Sequence, residues 1–198
     1  MSSSPWLVVG LGNPGPEYAA TRHNVGFLVA DLLADQYGVR MARHKRGHAL
    51  AAEGRIGVPG STTHVVLVEP LSFMNDSGGP VKALMAFYGV EPDRLVVVHD
   101  ELDIPFTAIR AKFGGGDNGH NGLKSIRRAI GTGEFLRVRV GIGRPPGRQD
   151  PADYVLKPYP SAERKELPEV VQRAADAVEC LITEGLEATQ NRFNAGPA

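Results

Sequence analysis

One histidine, His23, stands where the sequence could carry general-base chemistry. It follows a glycine-rich segment, residues 10–15, that ends a short apolar run. A neutral imidazole accepts a proton near pH 7 without strong tuning of its pKa. Such a base usually needs a partner for its second ring nitrogen, and Asp100, which follows the apolar residues 95–98, is the best candidate. Because α/β folds build their sites at the carboxyl ends of neighbouring strands, we expect His23 and Asp100 to meet.

Polar residues recur around these two positions, and the simplest explanation of each one is structural. For His99, Glu101 and Asp103 that explanation is a solvated edge of the sheet. For the asparagines it is turn formation, but as a group they predict a lining that donates to carbonyls and accepts from amides. No serine stands in a G-x-S-x-G motif, so attack by a water that His23 activates is the simplest hydrolytic mechanism. The asparagines are Asn13, Asn24, Asn75 and Asn121.

A second glycine-rich segment, residues 114–119, leads into a predicted helix that opens near Asn121. Backbone N–H groups at a helix start attract anions. Lys112 would add a point charge and Arg139 a guanidinium fork for a phosphate. The alternative is a mobile surface loop, and glycine content alone supports either interpretation.

Dinucleotide binding and Mg²⁺ binding are two alternative chemistries for these segments. Residues 10–15 match G-x-G-x-x-G, which would indicate a dinucleotide-dependent oxidoreductase. Pro14 and Pro16 stiffen that loop, however, and the acid required about 20 positions further on would fall inside the first helix. Residues 99–103 could hold Mg²⁺, but no second carboxylate cluster accompanies them, so we expect no metal.

Composition limits the class of protein. The chain has 198 residues, 22 basic and 22 acidic side chains and a net charge of +0. That balance argues against non-specific coating of nucleic acid, so the basic clusters at residues 40–46 and 137–148 would have to act locally. Cys180 is the single cysteine, which excludes an intrachain disulfide and fits a reducing compartment. With neither a signal-peptide pattern nor a membrane-length apolar run, we expect a cytoplasmic protein.

The elements that must position these residues alternate along the chain. Residues 135–142 show period-2 alternation, with Arg137 and Arg139 on the face opposite to the apolar residues. The last helical stripe is expected to begin with Ser161 as its N-cap. The pattern predicts α/β architecture: a single domain over residues 1–198, with a twisted mixed β-sheet flanked by helices on both faces. Strands are predicted at residues 7–9, 48–55, 64–69, 95–98 and 135–142, and helical stripes begin at Val25, Val81, Leu123 and Leu167.

Five motifs together, in this order, resemble the bacterial peptidyl-tRNA hydrolase family. The resemblance runs from about Trp6 to Asn194, nearly the whole chain, and five ordered motifs are far more specific than one glycine loop. They are GLGNPG at residues 10–15 with TRHNVG at residues 21–26, FMNDSG at residues 73–78, HDELD at residues 99–103, the segment 114–123, and RVGIGRP at residues 139–145.

The resemblance implies a monomeric α/β hydrolase that cleaves the ester between a peptide and the 3′ ribose of tRNA, with no metal or organic cofactor. Carried over by motif position, His23 would activate water and Asp100 would orient and polarise His23. Asn13 would complete the catalytic set. A second group would bind the peptide and the acceptor end of tRNA or line the groove, and two cations would clamp the 5′ phosphate. The second group is Tyr18, Met74, Asn75, His120 and Asn121, and the cations are Lys112 and Arg139.

Three positions depart from the family pattern. Glu69 stands where a lysine is usual, Ser72 where threonine is common, and Asn118 where glycine is typical. Asn tolerates left-handed backbone, so we expect the loop around Asn118 to survive. Glu69 reverses a charge that we expect near the substrate path. A non-catalytic RNA-binding relative of the same fold is the main alternative, and its mark would be the loss of the histidine or the aspartate, both of which are present.

Overall fold

One mixed sheet organises the chain. The computed structural model describes residues 3–195, and its seven strands lie in the order β2-β3-β4-β1-β5-β7-β6. The central strands β4, β1, β5 and β7 run parallel, whereas β2, β3 and β6 pair antiparallel with their neighbours. The strands are β1 (Trp6–Gly10), β2 (Ala42–Arg43), β3 (Ala49–Val58), β4 (Ser61–Pro70), β5 (Leu95–Glu101), β6 (Ile109–Phe113) and β7 (Leu136–Gly141).

Helices cover both faces of this sheet, as predicted. Alternate residues of the buried strands point to opposite faces, so Val96 packs in one core cluster and Val97 in the other. The first cluster lies under α1, α5 and α6, and the second lies under α2 and α3. Burial on both sides explains why the central strands are continuous apolar runs. The helices are α1 (Val25–Gln36), α2 (Gly78–Tyr88), α3 (Asn121–Ile130), α4 (Pro151–Val155), α5 (Ser161–Glu184) and α6 (Leu186–Phe193).

The expected N-cap of α5 is wrong by one residue. Ser161 is already helical, and Pro160 is the capping residue, with extended backbone. The Pro160 carbonyl accepts the backbone N–H of Arg164 at 2.9 Å, which closes the first helical turn. The fixed φ of proline holds the cap without a side-chain hydrogen bond.

A close approach between α1 and the ends of β1 and β5 fixes the segment that carries His23. Gly26 lies against the backbone at this point, and a Cβ added to it would lie 2.5 Å from the Val98 carbonyl oxygen. Only glycine fits this contact. Within residues 3–195, no helix combines the length and the hydropathy that a membrane span requires.

Candidate active site

His23 and Asp100 meet at the carboxyl ends of two adjacent parallel strands. His23 lies in a 3-10 turn between β1 and α1, and Asp100 lies near the end of β5. The His23 Nδ1 atom is 2.9 Å and 3.0 Å from the two carboxylate oxygens of Asp100. The prediction that β5 ends at Val98 is wrong, because β7 pairs with it as far as Glu101. The strand backbone therefore holds Asp100 in place.

A second histidine contacts the same carboxylate. His120 Nε2 lies 2.8 Å from Asp100 Oδ1, while its Nδ1 accepts the backbone N–H groups of Gly122 and Leu123 at the start of α3. Because Nδ1 is an acceptor, the proton of a neutral ring sits on Nε2 and is donated to Asp100. Both ring nitrogens of His120 thus have partners inside the protein, although its ring lines the cleft.

The charges of this trio shift the pKa values of His23 and Asp100. Burial alone would lower the pKa of His23, but the charge and hydrogen bond of Asp100 outweigh burial and raise it above 6.5. Burial would raise the pKa of Asp100, but His23 and His120 hold it far below its usual value. Asp100 is therefore a carboxylate, the proton of neutral His23 is on Nδ1, and Nε2 is left as the basic atom.

Asn13 is fixed by contacts on both sides. The side chain of Asn24 accepts the Asn13 N–H and donates to the Asn13 carbonyl, each at 2.9 Å. The Asn13 Oδ1 atom accepts the backbone N–H of Met74 at 2.7 Å. Since the amide oxygen is used, the NH₂ group of Asn13 is the part available to a substrate.

The cleft has two lobes that share His23 and Asn121 in their walls. One lobe runs over Asp100, Asn118 and His120. The other lobe is lined by both polar and apolar side chains. Tyr18 lies next to Phe73, which is part of this lining, with 6.2 Å between the two ring centroids. The second lobe is lined by Asn13, His23, Phe73, Met74, Asn75, Asn121, Ala152, Val155 and Leu156.

Lys112 and Arg139 lie on one face of β6 and β7 beside two further arginines. Lys112 pairs with Arg137 across the strands, and Arg110 pairs with Arg139, so all four side chains share that face. Burial and the charge of Arg139 lower the pKa of Lys112. Neither Lys112 nor Arg139 forms an ion pair within residues 3–195. The charge of Glu101 acts on both of them and offsets part of their charge. Four cations on one face still outnumber this carboxylate, and the face is suited to binding an anion.

Comparison with known proteins identifies the family of this chain. The family model for peptidyl-tRNA hydrolase matches residues 7–198. The chain belongs to the peptidyl-tRNA hydrolase family. It is 62% identical to the peptidyl-tRNA hydrolase of Frankia alni over 191 residues, 96% of this chain and 94% of that one. The Streptomyces coelicolor enzyme is 59% identical over 195 residues, covering 98% and 97%. The crystal structure of the Acinetobacter baumannii enzyme superposes with a TM-score of 0.85 at 36% identity, covering 98% and 97%.

Each of the three departures from the family pattern has a local structural account. Asn118 adopts left-handed backbone with φ 50° and donates to Glu101 Oε1 at 2.9 Å. Ser72 Oγ donates to the carbonyl of Asp76 at 3.0 Å. Glu69 is buried beside Asp31 of α1 and lines neither lobe of the cleft, so its expected place near the substrate path is wrong.

His23, Asp100 and His120 also form a donor set of the kind that binds metal ions. Coordination through His120 Nε2 would require that atom to lose its proton, which would then sit on Nδ1. A protonated Nδ1 would face the backbone N–H groups of Gly122 and Leu123, donor against donor. The hydrogen bonds of His120 therefore favour a protein-only trio.

Sequence reasoning missed several residues around the cleft. His99, expected at a solvated edge, is fully buried, and its Nδ1 donates to the Asp100 carbonyl at 2.7 Å. Glu101 is buried as well, and Asp103 alone of the three is exposed. Helix α4, which supplies part of the cleft wall, was not predicted. Its signal was present, because Asp150 caps the helix and Pro151 occupies its first turn.

Proposed function

We propose that this protein hydrolyses the ester bond between a peptide and the 3′ ribose of tRNA, with His23 as the base that activates water. Hydrolysis of peptidyl-tRNA follows from membership of the family. The residue roles are our assignment. The observation that carries them is the Asp100 carboxylate, which receives the N–H groups of both His23 and His120 and leaves His23 Nε2 basic at the cleft.

In the proposed reaction, water attacks the ester carbonyl carbon and its proton passes to His23 Nε2. The carbon–oxygen bond to the 3′ oxygen then breaks, and His23 returns the proton to that leaving oxygen. Asp100 stabilises the positive charge that His23 carries in between, and His120 positions Asp100. General-base assistance of this kind contributes about 10²–10⁴-fold to the rate.

The Asn13 amide group is suited to stabilise the oxyanion. Its oxygen is occupied by the Met74 N–H, so its NH₂ group can donate to the charge that develops on the ester oxygen. One such donor is typically worth about 10²–10³-fold in kcat. Asn75 and Asn121, which are exposed in the wall of the same lobe, would hold the peptide and the acceptor end of tRNA. Tyr18 and Met74 would shape that wall.

We assign Lys112 and Arg139 to the 5′ phosphate of the acceptor stem. Their face of the sheet carries four cations, and phosphate contacts position an RNA without reading its sequence. That property suits an enzyme that accepts many tRNAs.

We further propose that the protein acts as a monomer and a single domain in the cytoplasm. One chain supplies every residue of the assigned site, and all seven strands form one sheet. Because the proposed substrate is a product of translation, we expect the activity where ribosomes work. A mass measurement by light scattering at micromolar concentration tests the monomer.

The direct test is release of labelled N-blocked amino acid from tRNA by the wild type and by His23→Ala. We expect the variant to lose about 10²–10⁴-fold in kcat and to bind tRNA as the wild type does. His48→Ala is a matched control, because His48 is an exposed histidine outside the cleft. Equal loss of binding and turnover in His23→Ala would contradict the base assignment, and tight binding without cleavage by the wild type would favour the non-catalytic RNA-binding alternative.

A further inference from the structure

The basic segment at residues 40–46 takes no part in the site described above. It lies along β2, at one edge of the sheet, whereas Lys112 lies on β6 at the opposite edge. Six strand spacings of about 4.8 Å separate these edges, or roughly 29 Å. The segment is therefore a separate feature of the surface.

Four cations of this segment line a groove between β2, β3 and the end of α2. The groove includes one carboxylate, Glu53, whose Oε1 lies 3.7 Å from His64 Nε2. In the part of the chain that the structure describes, none of the four cations forms an ion pair. The groove, called the edge groove below, is defined by Arg40, Arg43, Lys45, Arg46, His44, Phe87 and Tyr88.

An aromatic ring stands among these charges. Phe87 is 54% exposed, so its ring is open to a ligand in the groove. Its ring makes edge-to-face contacts with His44 at 4.7 Å and with Tyr88 at 4.8 Å between centroids. Neighbours on two sides thus hold the ring in one orientation while about half of its surface stays open.

The turn that carries the cations is ordered by the same histidine. His44 Nδ1 accepts the backbone N–H groups of Arg46 and Gly47 at 3.1 Å and 3.3 Å. Its Nε2 lies 3.1 Å from the hydroxyl of Tyr88. His44 therefore connects the basic turn to the aromatic end of α2, and its hydrogen bonds hold the residues of the edge groove in place.

We propose that the edge groove binds a single-stranded segment of RNA, separate from the acceptor end that enters the catalytic cleft. Cations that follow a phosphate backbone, combined with an exposed aromatic ring on which a base can stack, are the features of sequence-tolerant single-strand binding. An acidic peptide would bind to the cations but would have no base to stack on Phe87. A single-stranded RNA would contact the cations with its phosphates and Phe87 with a base.

Fluorescence anisotropy with a labelled oligouridylate of eight nucleotides tests this proposal. To remove the proposed phosphate clamp as a competing site for the probe, the measurement uses a protein in which Lys112 and Arg139 are both changed to alanine. In that background Phe87→Ala should weaken binding roughly five- to 150-fold, the range for loss of one stacked base. Phe87→Leu, which keeps an apolar side chain without a π face, should weaken binding to a similar degree.

Charge is tested by a matched pair of arginines. Arg43→Ala should reduce the slope of log affinity against log salt by about 0.7, the value for one lost phosphate contact on a single strand. Arg55→Ala removes an exposed arginine from β3 outside the groove and should leave the slope nearly unchanged. Each variant should keep the hydrolysis rate of its own background on a short acceptor-end substrate, which confirms the fold.

Several results would overturn the proposal. These are absence of probe binding, retention of full affinity in Phe87→Ala, and equal effects of Arg43→Ala and Arg55→Ala. Equally tight binding of a poly-glutamate peptide or of phosphatidylserine vesicles would show that the groove attracts any anion, and this too would refute an RNA site.

Discussion

Glu69 makes the stability of this protein depend on pH, because its side chain is buried. Its side chain is 4% exposed. Burial, and then the hydrogen bond and charge of Asp31, raise the pKa of Glu69 from 4.5 to about 9. Between these two values the folded protein holds a proton that the unfolded chain releases. The stabilisation is therefore complete below the unfolded pKa and declines as pH rises toward the folded one.

The size of the effect follows from the linkage relation. Inside this window each pH unit lowers the free energy of unfolding by at most about 1.4 kcal/mol. Raising the pH from 6 to 8 should therefore lower the free energy of unfolding by up to about 3 kcal/mol. A typical domain has a total stability of only about 5–15 kcal/mol.

Urea unfolding at pH 6 and pH 8 measures this cost when the wild type is compared with Glu69→Gln. The glutamine cannot ionise, so the difference in stability between the two proteins should change by up to about 3 kcal/mol in favour of the variant at pH 8. Asp31→Asn should have a smaller effect, because burial, the larger cause of the raised pKa, remains. Parallel stabilities of the wild type and Glu69→Gln at the two pH values would refute the buried, protonated carboxyl.

Three more predictions concern the site and its support. His120→Ala should lower kcat and change KM much less. His120→Gln can still donate a hydrogen bond to Asp100 and should recover part of the lost kcat. Equal rates for both variants would contradict the positioning role. Lys112→Ala and Arg139→Ala should raise KM and reduce the salt dependence of kcat/KM, and unchanged salt behaviour would exclude the clamp. Gly26→Ala should prevent folding or lower Tm by more than about 10 °C in a calorimetric scan, because its Cβ overlaps fixed backbone, and a wild-type Tm would contradict that contact.

Local patterns in the sequence were sufficient to predict five of the seven strands and four of the six α-helices that the structure describes. The apolar run at residues 95–98 and the alternation at residues 135–142 both correspond to strands, because burial on one or two faces fixes these patterns. Strand β6 was missed, since its five residues include two cations whose burial depends on pairing with β7. A local pattern does not specify how two distant segments pair as strands.

In the site, too, some contacts follow from local patterns and others do not. The meeting of His23 and Asp100 was predictable, because each follows an apolar strand and such strand ends share an edge of the sheet. The bond between His120 and Asp100 joins residues 20 positions apart, and no periodicity indicates it. The burial of His99 was hidden for the same reason, because its ring packs against His120, which is distant in the sequence, with 5.0 Å between the ring centroids.

The central claim is that Asp100 makes His23 a base at the cleft, and the dependence of kcat/KM on pH tests it most directly. The wild type should gain activity as pH rises through an apparent pKa above 6.5, because the neutral form of His23 is the active one. Asp100→Asn removes the charge that raises this pKa while burial remains, so its residual activity should titrate below 6.5. A wild-type profile without such an ascending limb, or one with the same apparent pKa in Asp100→Asn, would contradict the assignment.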